Sequence, residues 1–193
     1  MKKIILLLFT MPLFIYFLTC DRADMQTIAK YGPEPDVIYL FSDGGSTYDG
    51  TFSGYDGPEE ACYIQYETYF KDLDITRIEP LLSTHERNVR DIVPDIYSHV
   101  EVIGIETSLS VFLSSSWSGL WDGVLSGQLS SIGITGYWTG STTSGTLHTN
   151  NCNNWTDTSF NGTQGNGDSS GFWMDDGSTI ACNLSGGLIC VGY

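Results

Sequence analysis

Tyr137-Trp138-Thr139-Gly140-Ser141, with Gly145, Cys152 and Trp155 behind it and Cys182 and Cys190 near the C-terminus, is the stretch on which the fold turns. Around it, from Gly127 onward, the composition is Gly, Ser, Thr and Asn with isolated aromatics, which suits short strands and long loops. Asn150 to Gly171 is the most loop-like part, and the pairs Asn161-Gly162 and Asn166-Gly167 predict tight turns. No internal repeat is present.

At the other end of the chain, Lys2 and Lys3 precede an apolar run from Ile4 to Leu18 that ends at Thr19 and Cys20 before Asp21-Arg22-Ala23-Asp24. A charged start followed by an apolar stretch has the layout of an export signal. Roughly 15 apolar residues, interrupted by Pro12, fall short of the ~20 that a membrane-spanning helix needs. Phe17-Leu18-Thr19-Cys20 resembles a bacterial lipobox, which makes Cys20 the acylated first residue of the mature protein. Residues 1–19 are then a lipoprotein-type signal peptide. Residues 20–35, which contain Gly32-Pro33-Glu34-Pro35 and no periodic apolar pattern, form a tether. The domain covers residues 36–193.

Export also frames the cysteines. An exported chain with Cys62, Cys152, Cys182 and Cys190 in its domain is expected to hold two disulfides, and four cysteines allow three pairings among which spacing does not choose. Cys20 is the odd one out of five, which acylation would explain.

Within the domain, Val37-Ile38-Tyr39-Leu40-Phe41 predicts a buried strand ending in the turn Ser42-Asp43-Gly44-Gly45. Pro58-Glu59-Glu60 opens a helix on which Cys62, Tyr66, Tyr69, Phe70 and Leu73 face the core. Ser83-Thr84-His85-Glu86 has the pattern of a capping box, predicting a second helix through Val89, Ile92 and Val93 that stops at Pro94. Val100 to Ile105 reads as a strand. Ser114-Ser115-Ser116 can cap a third short helix carrying Trp117, Leu120, Trp121 and Val124 on one stripe.

Charge excludes whole classes of partner. There are 8 Lys and Arg against 23 Asp and Glu, a formal charge of -15, and no basic residue follows Arg90. Such a surface repels nucleic acid, anionic headgroups and heparin-type polyanions. Ligands are expected to be neutral, cationic or metal-bridged, and contact with a membrane to run through the lipid anchor only.

The ordered set Tyr137 to Ser141, Gly145, Cys152, Trp155, Cys182 and Cys190 resembles the C-terminal half of endostatin, the fragment at the end of certain collagens, including the intervals of 30 and 8 residues between the last three cysteines. Upstream, Val37 to Phe41 with Gly50, Gly54, Gly57 and Cys62, then Leu82-Ser83 with Val89 to Asp95, and Val100 to Leu120 with Ser116-Trp117, resemble the rest of that domain. The same pattern is similar to an endostatin-related bacterial secreted family of unknown function. Trp173-Met174-Asp175-Asp176 ahead of Cys182 resembles the end of C-type lectin domains. The resemblance implies an α+β, C-type lectin-like (endostatin-like) fold with a twisted, mostly antiparallel sheet, two to three short helices, long loops and two disulfides. It also implies nested pairing of Cys62 with Cys190 and of Cys152 with Cys182.

His85-Glu86 begins like a zinc-protease motif, but Val89 stands where the second histidine would be, and His99 and His148 are isolated. No Gly-x-Ser-x-Gly elbow occurs, and no enzymatic activity is expected. Endostatin's N-terminal zinc histidines and basic heparin surface have no counterpart here. Asp168, Asp175 and Asp176 are the candidate calcium ligands, with Asn153 and Asn154 as neighbouring oxygen donors. Otherwise no cofactor is expected. Trp155 and Trp173, the tryptophans nearest to loops, together with Asn154, Asp175 and Asp176 make the expected ligand surface. The sequence therefore reads as an exported, lipid-anchored envelope protein, displayed at a bacterial cell surface, whose domain recognises an extracellular protein or a neutral glycan. Its alternatives are a calcium-dependent lectin and a purely structural envelope protein.

Overall fold

The computed structural model describes residues 33–42 and 46–193, so the expected signal peptide, Cys20, most of the tether and the turn at Asp43 to Gly45 lie outside the described residues. Its strands are β1 (Ile38–Phe41), β2 (Ile78–Pro80), β3 (Val102–Glu106), β4 (Leu109–Ser114), β5 (Gly136–Trp138), β6 (Asn161–Asn166), β7 (Thr179–Ala181) and β8 (Cys190–Gly192). One sheet has the order β2-β8-β1-β3-β4 and the other β5-β6-β7. Among the named strands β1 and β3 pair in parallel and the other strand pairs are antiparallel, with one isolated parallel bridge between Tyr137 and Gly187. The architecture is mixed α+β, with few helices and a mostly antiparallel sheet.

The apolar run at Ile38 to Phe41 becomes the central strand, paired on both edges and buried at Ile38, Leu40 and Phe41. Covered on both faces, it needs no polar alternation, which is why its sequence is continuous in apolar residues. Main-chain bonds join the two sheets: Ser83 N–H, after β2, donates to Thr139, after β5, and Trp138 N–H to Gly187, ahead of β8.

Helix α1 (Pro58–Gln65) begins at its proline as expected and then widens into a π turn over Tyr66–Phe70. The π turn inserts one residue, so the inward position one helical repeat beyond Cys62 passes from Tyr69 to Phe70. Tyr69 is accordingly half exposed and Phe70 is buried, which corrects the expected core face.

The second helix does not form. The Ser83 hydroxyl caps Val89 N–H and accepts a hydrogen bond from Ser141 Oγ, 58 residues away. Thr84 and Arg87 close a turn on each other instead. Two single 3-10 turns, Val89–Asp91 and Asp95–Tyr97, follow. The third helix is a 3-10 turn, Ser118–Asp122, with the Ser116 hydroxyl accepting from Gly119 N–H as a cap should. It ends at Gly123 in the left-handed region, which leaves Val124 exposed rather than on the stripe.

Asn161-Gly162 is not a turn, because it starts β6, whereas Asn166 ends that strand and opens the expected turn, with Ser169 N–H donating to its carbonyl at 3.1 Å. The glycines of β6 serve close packing. A Cβ on Gly162 would stand 2.6 Å from the Trp138 ring, and one on Gly165 2.0 Å from the Trp173 carbonyl oxygen.

The cysteines pair as Cys62–Cys190 and Cys152–Cys182, the arrangement that the resemblance implied. Both bonds lie in one core cluster with Phe41, Phe52, Phe70, Trp138, Trp155 and Leu188. The outer bond fixes α1 to β8, and the inner one fixes the loop before β6 to the loop after β7. Among the described residues no helix is long and apolar enough to cross a membrane.

Two outcomes follow from this core. Replacing Cys62 and Cys190 by alanine removes a closure spanning 128 residues, with an expected loss of about 5 kcal/mol, against about 4 kcal/mol for the 30-residue closure of Cys152 and Cys182. Urea denaturation of each double variant reads the difference, and equal losses would contradict the loop-closure account. Separately, burial holds the Tyr137 phenol well above its ordinary value and raises that of Tyr193, where Arg77 opposes it. Each protonated phenol thus stabilises the fold fully below the ordinary tyrosine value of about 10. That contribution is lost as pH rises above this value, towards the folded-state pKa. The urea midpoint should hold from neutral pH to about 10 and fall beyond it. Tyr137→Phe should flatten the fall while lowering stability by about 1–3 kcal/mol, since the Trp173 carbonyl loses its buried donor.

Candidate functional site

Asn151 to Asp157 bends back on itself in one helical turn over Cys152–Trp155, and that turn is wound left-handed. The φ angles of Cys152, Asn153, Asn154 and Trp155 are 53°, 52°, 59° and 65°. Left-handed helical backbone costs an ordinary L-residue roughly 1–2 kcal/mol, and asparagine less because its short amide can bond locally. The sequence Asn151-Cys-Asn-Asn-Trp155 supplies that tolerance at its middle. The Asn151 Oδ1 accepts from Asn154 N–H at 3.0 Å, while Trp155 N–H donates to the Asn151 carbonyl at 2.9 Å.

The two outer residues of the turn point inward. Cys152 is tied to Cys182. The Trp155 indole N–H donates to the Ser83 carbonyl at 2.9 Å, and its ring packs edge-on against Phe52 and Trp138 at 5.9 and 6.2 Å. Asn154 faces the other way, its Oδ1 accepting from His85 N–H at 2.8 Å. That bond pins the turn to the segment that follows β2.

Between the turn, the start of α1 and the segment after β2 lies a cleft of about 570 Å³, within the range of small-molecule sites. Pro58 and Glu59 come from α1, Glu79 from β2, Thr84, Glu86 and Arg87 from the turn after it, and Asn154 and Trp155 from the left-handed turn. Arg87 Nη2 donates to Glu79 Oε2 at 2.9 Å, with both side chains partly buried. Glu59 and Glu86 accept no hydrogen bond from a described residue, and both are exposed. The Thr84 hydroxyl accepts from the N–H groups of Glu86 and Arg87, which fixes the wall that carries them.

The structure redistributes the expected ligand surface. Asn154 is in the cleft. Trp155 contributes only an edge to it, being 6% exposed, and Trp173 is 1% exposed. Neither presents a ring face to solvent, because the sparse apolar content of the C-terminal half draws its tryptophans into the core. Trp173 stacks on Trp121 at 5.4 Å, and the indole N–H groups of that pair are buried without a partner among the described residues.

The acids are likewise occupied. The Asp175 carboxylate accepts from Gly177 N–H, and that of Asp176 from Ser178 N–H and hydroxyl, each closing its own turn. Asp168 belongs to another loop, where its carbonyl accepts from the Gln128 amide. Among the described residues no three His, Cys, Asp or Glu side chains gather as a group that could hold a metal ion, so the acids expected to share calcium do not come together in that way. His85 and Asn154 meet through the histidine's backbone, His99 Nε2 lies 2.9 Å from Glu34, and His148 Nδ1 accepts from Asn150 N–H.

Pro58, Glu59, Glu79, Thr84, Glu86 and Arg87 were not among the expected site residues. They come from separate segments, and those with a local pattern, the helix opening at Pro58-Glu59 and the capping box at Ser83 to Glu86, signal a helix start and not a site. The one local signal was the asparagine run at 151–154, whose left-handed preference marks an irregular turn. No family model and no curated protein matches this chain.

The turn makes a discriminating stability forecast. Asn153 sits at φ 52°, ψ 54° and is exposed. Asn153→Gly should leave the melting temperature level or higher, whereas Asn153→Ala should lower stability by about 1 kcal/mol. Equal effects of the two would mean that the turn is not left-handed in solution.

Proposed function

We propose that this chain is an exported protein, lipid-anchored through Cys20 to a bacterial cell envelope, whose C-type lectin-like, endostatin-like domain recognises an extracellular protein or glycan through the cleft at the left-handed turn. The observation that carries the reading is that turn. Four consecutive residues other than glycine hold a costly backbone conformation, and they do so at the edge of a cleft of about 570 Å³. Strain of this kind persists where the surroundings over-determine it, and it clusters at ligand sites. Here the over-determination is specific: a disulfide, the Asn151 cap, the Trp155-to-Ser83 bond and the Asn154-to-His85 bond.

Strand register supports display of the site. β1 and β3 are parallel, so the chain enters β1 at the end where Glu34 meets His99. β2 passes Ile78 at the level of Tyr39 and Pro80 at the level of Phe41, both through β8, before leading to Thr84, Glu86 and Arg87. The cleft wall thus lies beyond the opposite end of β1 from the point where a tether would join. Two disulfides also suit an extracellular setting.

Binding arrays of glycans and matrix proteins, probed with the full chain with and without calcium, test this reading. The expected outcome is a reproducible binder, unaffected by calcium, that is lost when Glu86→Trp fills the cleft and kept in Asp175→Asn/Asp176→Asn. Binding that survives Glu86→Trp but needs calcium, Asp175 and Asp176 would favour the calcium-dependent lectin instead. No binder at all would leave a structural envelope role. Intact-mass measurement of the membrane-extracted protein should show acyl chains on Cys20.

A further inference from the structure

Three features of the cleft bear on what it takes, given the recognition role proposed above. The first is charge. Three glutamates face one arginine, and that arginine is held by Glu79, so Glu59 and Glu86 stand without a counter-charge. The positive end of α1 does not reverse this. Its first residue, Pro58, has no N–H to offer, and Glu59 and Glu60 already occupy the first turn, with Glu60 Oε2 accepting from Asp56 N–H at 2.6 Å.

The second feature is the apolar part of the lining. Pro58 and the edge of Trp155 give a narrow aliphatic and aromatic strip. A sugar ring that stacks on an aromatic needs an open ring face, and Trp155 has none to give, its ring being enclosed by Phe52 and Trp138. A methylene chain needs only such a strip, along which it lies while its charged head stays at the wetter rim.

The third is the field of the whole chain. With 23 Asp and Glu against 8 Lys and Arg, that field favours approach of cations and disfavours anions at every distance within the screening length.

We infer that the group taken by this cleft is a lysine side chain in a basic segment of a partner protein, its ammonium between Glu59 and Glu86 and its stem along Pro58 and Trp155. The inference rests on the recognition reading but can fail without it.

The test titrates the full chain with a tetralysine peptide, its fully Nε-acetylated counterpart and a tetramer of glucosamine, whose ammonium groups sit on sugar rings. Tetralysine should bind most tightly, with affinity falling several-fold between about 0.05 and about 0.5 M salt. The acetylated peptide should not bind. Glu59→Gln with Glu86→Gln should weaken tetralysine by about threefold or more, each exposed pair being worth about 1.5- to 5-fold. Asp122→Asn with Asp168→Asn, which removes the same charge elsewhere, should leave it unchanged.

Equal weakening by both double variants would reduce the effect to diffuse attraction and overturn the inference. Glucosamine tetramer binding as well as tetralysine, or retention of the acetylated peptide, would overturn it too. A partner from the arrays that binds through the cleft irrespective of Glu59 and Glu86 would end the lysine inference and leave the recognition role standing. If neither tetralysine nor any arrayed partner binds, both fall.

Discussion

Cys62–Cys190 is the constraint on which the rest depends. It joins α1 to β8, and β8 is the strand that pairs with β1 on one side and β2 on the other. β2, β5, β7 and β8 have three residues each. Strands that short form too few ladder bonds to offset the entropy of ordering the long connections between them. Covalent closure lowers that entropy in the unfolded chain instead, so a sequence made of Gly, Ser, Thr and Asn can keep a fixed fold with little regular structure. The second bond, Cys152–Cys182, then acts within a frame already set, and fixes the loops on either side of the three-stranded sheet.

The tryptophans do in the C-terminal half what aliphatic residues do in the N-terminal half. Trp138 and Trp173 are fully buried, and β6 is cleared of side chains at Gly162 for the Trp138 ring and at Gly165 for the Tyr137 ring and the Trp173 carbonyl. A few large rings supply the buried area that many small apolar residues would otherwise provide. Three of the indole N–H groups are satisfied by main-chain carbonyls: Trp138 N–H reaches the Tyr48 carbonyl, Trp117 N–H the Arg90 carbonyl and Trp155 N–H the Ser83 carbonyl. Those three bonds cross between segments far apart in sequence, so they position loops as well as fill space.

What was legible in the sequence follows the range of the interactions. β1 was readable because a run of β-branched and aromatic residues carries its own signal, and the start of α1 because Pro58 and its acids do. The disulfide pairing was readable only through likeness to another domain, since spacing left three options. The helix expected after Ser83 did not form: the Ser83 hydroxyl caps Val89 N–H, six residues on, in place of Glu86 N–H, and is held there by Ser141, a contact that no local window contains. The turn at Asn166-Gly167 was legible locally, whereas Gly162 looked like a turn former and only the position of Trp138 reveals that it makes room for close packing. The cleft was largely hidden, because its walls come from segments as distant as Pro58 and Trp155. Asn154 was picked for the loop in which it lies, and the fold, not the motif, brings it to His85.

The left-handed turn shows which effect wins where local preference and packing disagree. Its two outer residues, Cys152 and Trp155, are ill suited to that backbone, and two ordinary residues there cost about 2–4 kcal/mol together. Burying a tryptophan side chain of about 150–250 Å² recovers about 4–6 kcal/mol, and the disulfide adds its own constraint on the unfolded chain. Packing therefore outweighs strain, and it does so at the two residues that point inward. Asn153 and Asn154 need only tolerate the conformation imposed on them from either side. The shape of the cleft edge is thus set by the two inward residues, Cys152 and Trp155. The exposed Glu59 and Glu86 of the cleft accept no hydrogen bond from a described residue, so they can change while the turn stays where it is.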